Sequence, residues 1–358
     1  MSQVRAADRI EPVAIWLWAL AALVAMTLIV GGATRLTGSG LSITEWRPVT
    51  GVIPPLSTAD WLIEFDKYRQ IPQFLELNPD MTLAGFQFIY WWEWTHRMLG
   101  RLIGVAFIVP FAIFLWRGLI DRALFWKLGA LFALGGLQGA IGWWMVSSGL
   151  AERTDVSQYR LAIHLTLACV ILVGIVLLAA RLRGREEPAV RPRARAFAWL
   201  LLVSVLVQIF IGALVAKTGA GLTFNTWPLI DGQFIPSFAQ LFPMHPRWIN
   251  LFENVMTIQF THRMVAYAIF IIALAHAIDA WRTGPYPAAR RAAILFALVT
   301  AQAILGIVTL LYVSPLSLSL LHQAGAVAVL AVVAMHVARA IPGRHAQHAG
   351  PEVRVHRA

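Results

Sequence analysis

Histidine is the residue type in this chain with the most chemistry to offer and the most telling spacing. Ten are present. His345, His348 and His356 stand in a polar tail, and His245 lies between Pro243 and Pro246, so a solvated ring accounts for these four. The other six fall in long apolar runs, where an ionisable side chain is costly and is a functional candidate by default. His96, His164, His262 and His322 each sit within about two helical turns of the same end of four different runs. His276 and His336 follow His262 and His322 by 14 residues, roughly 21 Å further along a helix. Their counterparts in the first half of the chain are Pro110 and Leu178, so these two read as interfacial histidines rather than ligands.

Two histidines on facing helices of a bundle can approach one flat cofactor from both sides. Haem iron takes an imidazole at each axial position, and an apolar bundle supplies a pocket of low dielectric. The pairs would be His96 with His164, and His262 with His322. Four buried histidines bonded to helix backbones would be the plainer account of the same residues. Matched depth in all four favours haem. Zinc or copper is disfavoured, because no cysteine, methionine or carboxylate cluster completes a coordination sphere. The sole cysteine, Cys169, lies in an apolar run and reads as a small buried residue, so no disulfide framework exists.

The two pairs are not equivalent. Before His96 the chain reads Trp92-Glu93-Trp94-Thr95, placing Glu93 one turn away on the same helix face. Before His262 the matching residue is Gln259. A carboxylate beside a porphyrin edge can take up or give a proton, and an amide cannot. Glu93 could equally pair with Arg97 four residues on. Arg97, Arg101 and Arg263 begin just below the outer surface, where they could hold haem propionates bidentately or snorkel to lipid headgroups.

What positions these residues is a membrane. The chain has 358 residues, 59% hydrophobic and 13% charged, with a mean hydropathy of +0.68. A soluble domain carries about a quarter charged residues, so the solvent here is lipid. Apolar runs near residues 14–33, 87–116, 128–147, 161–180, 197–216, 257–281, 293–313 and 319–341 each approach the ~20 residues that cross a bilayer. The net charge of +11 does not indicate nucleic acid. Eighteen of the 29 Lys and Arg lie in the N-terminus, alternate loops and the tail, eight in the opposite loops and three in helices. The positive-inside rule then puts both termini in the cytoplasm. The first run follows Arg5, Asp8, Arg9 and Glu11 and is long for a signal peptide, so it reads as a retained helix.

The eight runs form two similar sets of four. Thr37-Gly38-Ser39-Gly40-Leu41-Ser42 returns as Thr218-Gly219-Ala220-Gly221-Leu222-Thr223 at an offset of 181 residues, as do Trp46 as Trp227 and Pro55 as Pro236. Thr95-His96-Arg97-Met98 returns as Thr261-His262-Arg263-Met264 at 166, Gln138 and Gly142 return as Gln302 and Gly306 at 164, and His164 returns as His322 at 158. Four spans return the chain to its starting side, so the copies are expected to be parallel repeats. The expected fold is an all-α membrane protein of eight transmembrane helices in two four-helix bundles. Its parts are a first half of residues 1–180, a basic cytoplasmic linker 181–196, a second half of residues 197–341 and a polar tail 342–358. In the large outer loop, Trp61-Leu62-Ile63-Glu64-Phe65 is an amphipathic stretch behind Ser57 and Thr58 as helix caps, expected to cover the outer mouth of the first bundle. The loop glycines mark tight turns rather than a phosphate cradle, since no Gly-Lys-Ser/Thr follows. On the third run Gly135, Gly139 and Gly142 form a small-residue face that permits close approach of a helix or a ring.

Taken together, Gly32–Ser42, Glu93-Trp94-Thr95-His96-Arg97, Ile163-His164-Leu165, Phe260-Thr261-His262-Arg263 and Leu321-His322-Gln323 resemble the haem A synthase family over most of the chain. The resemblance implies an inner-membrane oxidoreductase that converts haem O to haem A for cytochrome oxidase, with its haem sites toward the periplasmic side. It implies haem b as cofactor, on His262 and His322, and haem O between His96 and His164, with Glu93 serving the oxidation. A methyl group becomes a formyl group in two two-electron steps through an alcohol, with water as the implied oxygen source. A haem O synthase that transfers the farnesyl group is the implied partner, beside an unidentified electron acceptor and membrane lipid. The loop cysteine pairs of some bacterial members are absent here, which points to the proteobacterial and mitochondrial subgroup. Two other functions stay open on the residues: a quinol-linked dihaem b-type electron-transfer protein, and a haem carrier. The first leaves Glu93 against Gln259 unexplained and would want histidines at both membrane depths.

Overall fold

The computed structural model describes residues 2–183 and 190–341, with side chains from residue 11 onward. Residues 184–189 of the linker and the tail 342–358, with His345, His348 and His356, lie outside the described residues. Within the described residues the chain is helical, apart from turns and an isolated bridge between Ile230 and Gln233. Eight helices are long and apolar enough to cross a membrane: α1 (Glu11–Leu36), α2 (Leu83–Trp116), α3 (Arg122–Ser147), α4 (Gln158–Leu182), α5 (Pro192–Thr218), α6 (Val255–Thr283), α7 (Tyr286–Leu311) and α8 (Leu316–Ala340). In hydrocarbon every backbone polar group must be satisfied within its own segment, which is why apolar runs of this length become helices.

Local chemistry sets their ends. The Asp121 side chain accepts from the Leu124 amide at 2.7 Å to start α3, and Asn254 accepts from the Met256 and Thr257 amides to start α6. Pro192 opens α5, where its missing N–H costs nothing. After α1 and α5 the chain turns through Gly38 and Gly219, both at φ +67°, where glycine alone carries no steric penalty. The outer loop folds as expected. Ser57 and Asp60 form a capping box, the Ser57 bonds hold the Asp60 carboxyl below its ordinary range, and the helix runs Thr58–Tyr68. Its Trp61, Phe65 and Tyr68 rings pack on Phe86 and Tyr90 at the outer end of α2.

Helices α1, α4, α5 and α8 meet at the centre of the molecule, with α2 and α3 on one side and α6 and α7 on the other. One continuous apolar core joins them, from Val13 and Leu17 through Leu128, Leu172 and Leu201 to Leu330 and Val333. Cys169 belongs to it, buried and free. Polar ties link the sides: Arg35 donates to the Ala216 carbonyl at 3.1 Å, Gln323 to the Leu28 carbonyl at 2.7 Å, and Tyr159 and Gln158 to the two oxygens of Glu253. α6 and α7 pack closely, whereas α2 and α3 touch sparingly, chiefly through Phe107 with Phe132 and Phe111 with Phe125.

Candidate functional site

His96 stands on α2, His164 on α4, His262 on α6 and His322 on α8. Each ring lies against a glycine of the neighbouring odd-numbered helix. A Cβ added at Gly31 would stand 2.7 Å from Cε1 of His96, at Gly142 2.9 Å from that of His164, at Gly212 3.3 Å from that of His262, and at Gly306 2.8 Å from that of His322. A side chain at those positions would push the ring aside, so the four glycines are cradles. His96 and His164 stand on two helices of the first half, and His262 and His322 on two of the second.

Three of the four rings are gripped by an amide. Gln138 Nε2 lies 3.1 Å from Nδ1 of His164 and donates to its carbonyl at 3.0 Å. Gln208 Nε2 is 3.2 Å from Nδ1 of His262 and donates to its carbonyl at 3.1 Å. Gln302 Nε2 is 3.1 Å from Nδ1 of His322 and donates to its carbonyl at 2.8 Å. Gln138 and Gln302 were legible as repeat partners, but Gln208 was not singled out. The signal was there: Gln138, Gln208 and Gln302 each stand four residues before the cradle glycine, so glutamine and glycine share a face one turn apart. The place four residues before Gly31 holds Thr27. The His96 ring faces the Thr27 backbone instead of an amide, and its Nδ1 is buried without a partner.

Glu93 is buried on α2 with both oxygens engaged. Oε2 accepts from the Ser42 hydroxyl and the Ile43 amide, each at 2.8 Å, and Oε1 accepts from Arg97 Nε at 3.0 Å and Nη2 at 2.5 Å. The pairing of Glu93 with Arg97 is therefore real, and it is only half of the carboxylate's surroundings. In the other half Gln259 Nε2 donates to the Phe224 carbonyl at 3.2 Å, and Phe224 is the counterpart of Ile43. The carboxylate takes a backbone N–H where the amide gives to a backbone C=O, so the exchange of side chain reverses the polarity of the contact. Arg97 also donates to the Ile43 and Glu45 carbonyls, Arg263 to those of Phe224 and Leu229, and Arg101 to those of Arg47 and Pro48. These arginines clamp the outer loops onto the bundle. Arg263 keeps its buried Nε without a partner.

The inner histidines require a correction. His276 and His336 are not interfacial: they are 1% and 4% exposed, and their Nε2 atoms lie 2.7 Å apart in a mutual hydrogen bond. Two rings facing each other satisfy one polar atom apiece inside the protein, an arrangement open only to residues brought together from two helices. Among the described residues no group of three or more His, Cys, Asp or Glu could hold a bare metal ion. The outer pairs do fit a haem. Each half offers two imidazoles on different helices, each ring seated against a glycine, and the Oε1 atoms of Gln138 and Gln208 are buried without partners.

The family model described as Cytochrome oxidase assembly protein (COX15-CtaA) matches residues 14–334 of the chain. A heme A synthase from Azorhizobium caulinodans is 56% identical over 324 residues, covering 90% of this chain and 93% of that protein. One from Bradyrhizobium diazoefficiens is 54% identical over 338 residues, covering 94% of each chain. One from Brucella suis is 53% identical over 333 residues, covering 92% of each.

Proposed function

The chain belongs to the family of cytochrome oxidase assembly proteins, and from that premise we propose the activity of a multi-pass membrane oxidoreductase that converts haem O to haem A. The observation that carries the reading to particular residues is a difference in the groups beside the two histidine pairs. One histidine pair has a buried carboxylate a turn away, and the other has an amide.

In this reading the first half, residues 1–180, takes haem O between His96 and His164. The second half, residues 197–341, keeps haem b on His262 and His322. Arg97 and Arg263 supply cationic surroundings for propionates, with the free Nε of Arg263 available for one more bond. Held by His262 and His322, haem b would supply one-electron redox chemistry to the protein. Oxidising a methyl group to a formyl group removes four electrons and releases four protons when water contributes the oxygen. Glu93 is placed to receive a proton or to orient that water. Its Ser42 contact comes from an uncharged hydroxyl that substrate water can replace, while Arg97 keeps the carboxylate turned toward the outer loop. The apolar core beneath the pairs keeps bulk water out, so charge that develops at the site meets fixed donors rather than solvent. The chain sits in the inner membrane with both haem sites toward the periplasm and both termini in the cytoplasm, and receives haem O from a farnesyl-transferring haem O synthase.

The test is to purify the full-length protein, extract its pigments and identify them by mass. Haem b together with haem O or haem A is the expected result. Haem b alone would favour electron transfer without chemistry on the porphyrin.

A further inference from the structure

Three of the four outer histidines carry a glutamine on the ring and its own carbonyl, and the fourth, His96, does not. At the matching place on α1 stands Thr27, whose hydroxyl is turned back to the Leu23 carbonyl of its own helix at 2.8 Å and so does not replace the amide. The exception falls in the half with Glu93, where the sparing contact of α2 with α3 also leaves the bundle looser than α6 with α7. A resident cofactor and a substrate place opposite demands on such a ring. Groups that fix the orientation of a metal-ligating histidine raise its hold on the metal about 10- to 100-fold. A site that must release its haem after each turnover gains from one ligand that meets only a backbone and lacks the side-chain tie to ring and carbonyl.

We propose that Thr27 and Gln208 are positioning residues that divide the two sites into an exchange site and a retention site. Gln208 locks His262 onto the resident haem. Thr27 leaves His96 as the ligand that lets go, so that product departs while His164 is still oriented by Gln138. The inference rests on the reading that both histidine pairs bind haem.

The test uses full-length protein in nanodiscs, reconstituted with ferric protohaem alone, with loss of haem to excess apomyoglobin followed by absorbance. Wild type is expected to release in two phases, of which His96→Ala removes the faster. Thr27→Gln should slow the fast phase about tenfold, and Gln208→Thr should speed the slow phase about tenfold, each with a shifted low-spin resonance spectrum for the altered site. General destabilisation can only hasten release, so the slowing in Thr27→Gln decides the matter even where Gln208→Thr folds poorly. A bis-histidine spectrum with the fast phase within twofold of wild type in Thr27→Gln overturns the proposal and leaves the functional reading intact. Absence of any bis-histidine spectrum in wild type overturns that reading, and this inference falls with it.

Discussion

Glu93→Gln changes one atom in the site and copies the residue that the second half already uses. Its structural cost is bounded by the partners that survive. Arg97 keeps the Ile43 and Glu45 carbonyls, so the guanidinium is not stranded when the carboxylate goes. What is lost is the charge-assisted contact at Oε1 and the acceptor strength toward Ser42 and Ile43. Hydrogen bonds to charged groups are worth about 1.5–3 kcal/mol, and Gln259 beside Arg263 shows that an amide is accommodated in this geometry. The catalytic cost is larger. General acid–base groups contribute about 10²–10⁴-fold, which corresponds to roughly 2.7–5.5 kcal/mol of barrier. The variant should therefore insert and keep its haem b while haem A formation falls at least about 100-fold, with haem O or its hydroxymethyl form accumulating. Membranes from cells with the variant as sole copy would be extracted and their haems separated by chromatography. Ser42→Ala is the control: it removes one donor, keeps the carboxylate with its Ile43 and Arg97 bonds, and should cost far less haem A than Glu93→Gln. Near-normal haem A in Glu93→Gln would reduce Glu93 to a structural partner of Arg97 and remove the main support for placing the reaction in the first half.

His262→Ala and His322→Ala should abolish or weaken the haem b absorbance of the purified protein. His276→Ala and His336→Ala should leave its band positions unchanged and lower thermal stability instead, by about 1–3 kcal/mol for the buried partner left unsatisfied. Loss of the spectrum in the inner variants alone would refute the assignment by depth. Gly306→Val should cost haem b binding, because even a Cβ there would stand 2.8 Å from Cε1 of His322; a wild-type spectrum and wild-type retention would show that the cradle yields. Reporter fusions should place residues 70 and 235 outside the cytoplasm and residues 120 and 286 within it, and a cytoplasmic signal at residue 70 would refute the orientation of the haem sites.

Sequence alone was enough for the eight helices, because a bilayer-length apolar run has one way to satisfy its backbone and hydropathy reads it without tertiary context. It also suggested the histidine pairing that the proposed function uses, since four rings at matched depth in a repeating pattern leave few combinations. The cap at Ser57 and the turns at Gly38 and Gly219 were legible because capping and left-handed backbone are properties of a few adjacent residues. Tertiary structure decided what depends on which helix faces which. The burial and mutual bond of His276 and His336 join residues 60 apart, and no periodicity within either helix announces a partner on the other. Arg97 and Arg263 are spent on outer-loop carbonyls as far as 54 and 39 residues away, which a count of charges near a membrane surface cannot separate from snorkelling. The place of Gln208 is the intermediate case. Its spacing to Gly212 is written in the chain, yet the meaning of that spacing appeared only when helix packing set the amide against His262 and left Thr27 in the corresponding place beside His96.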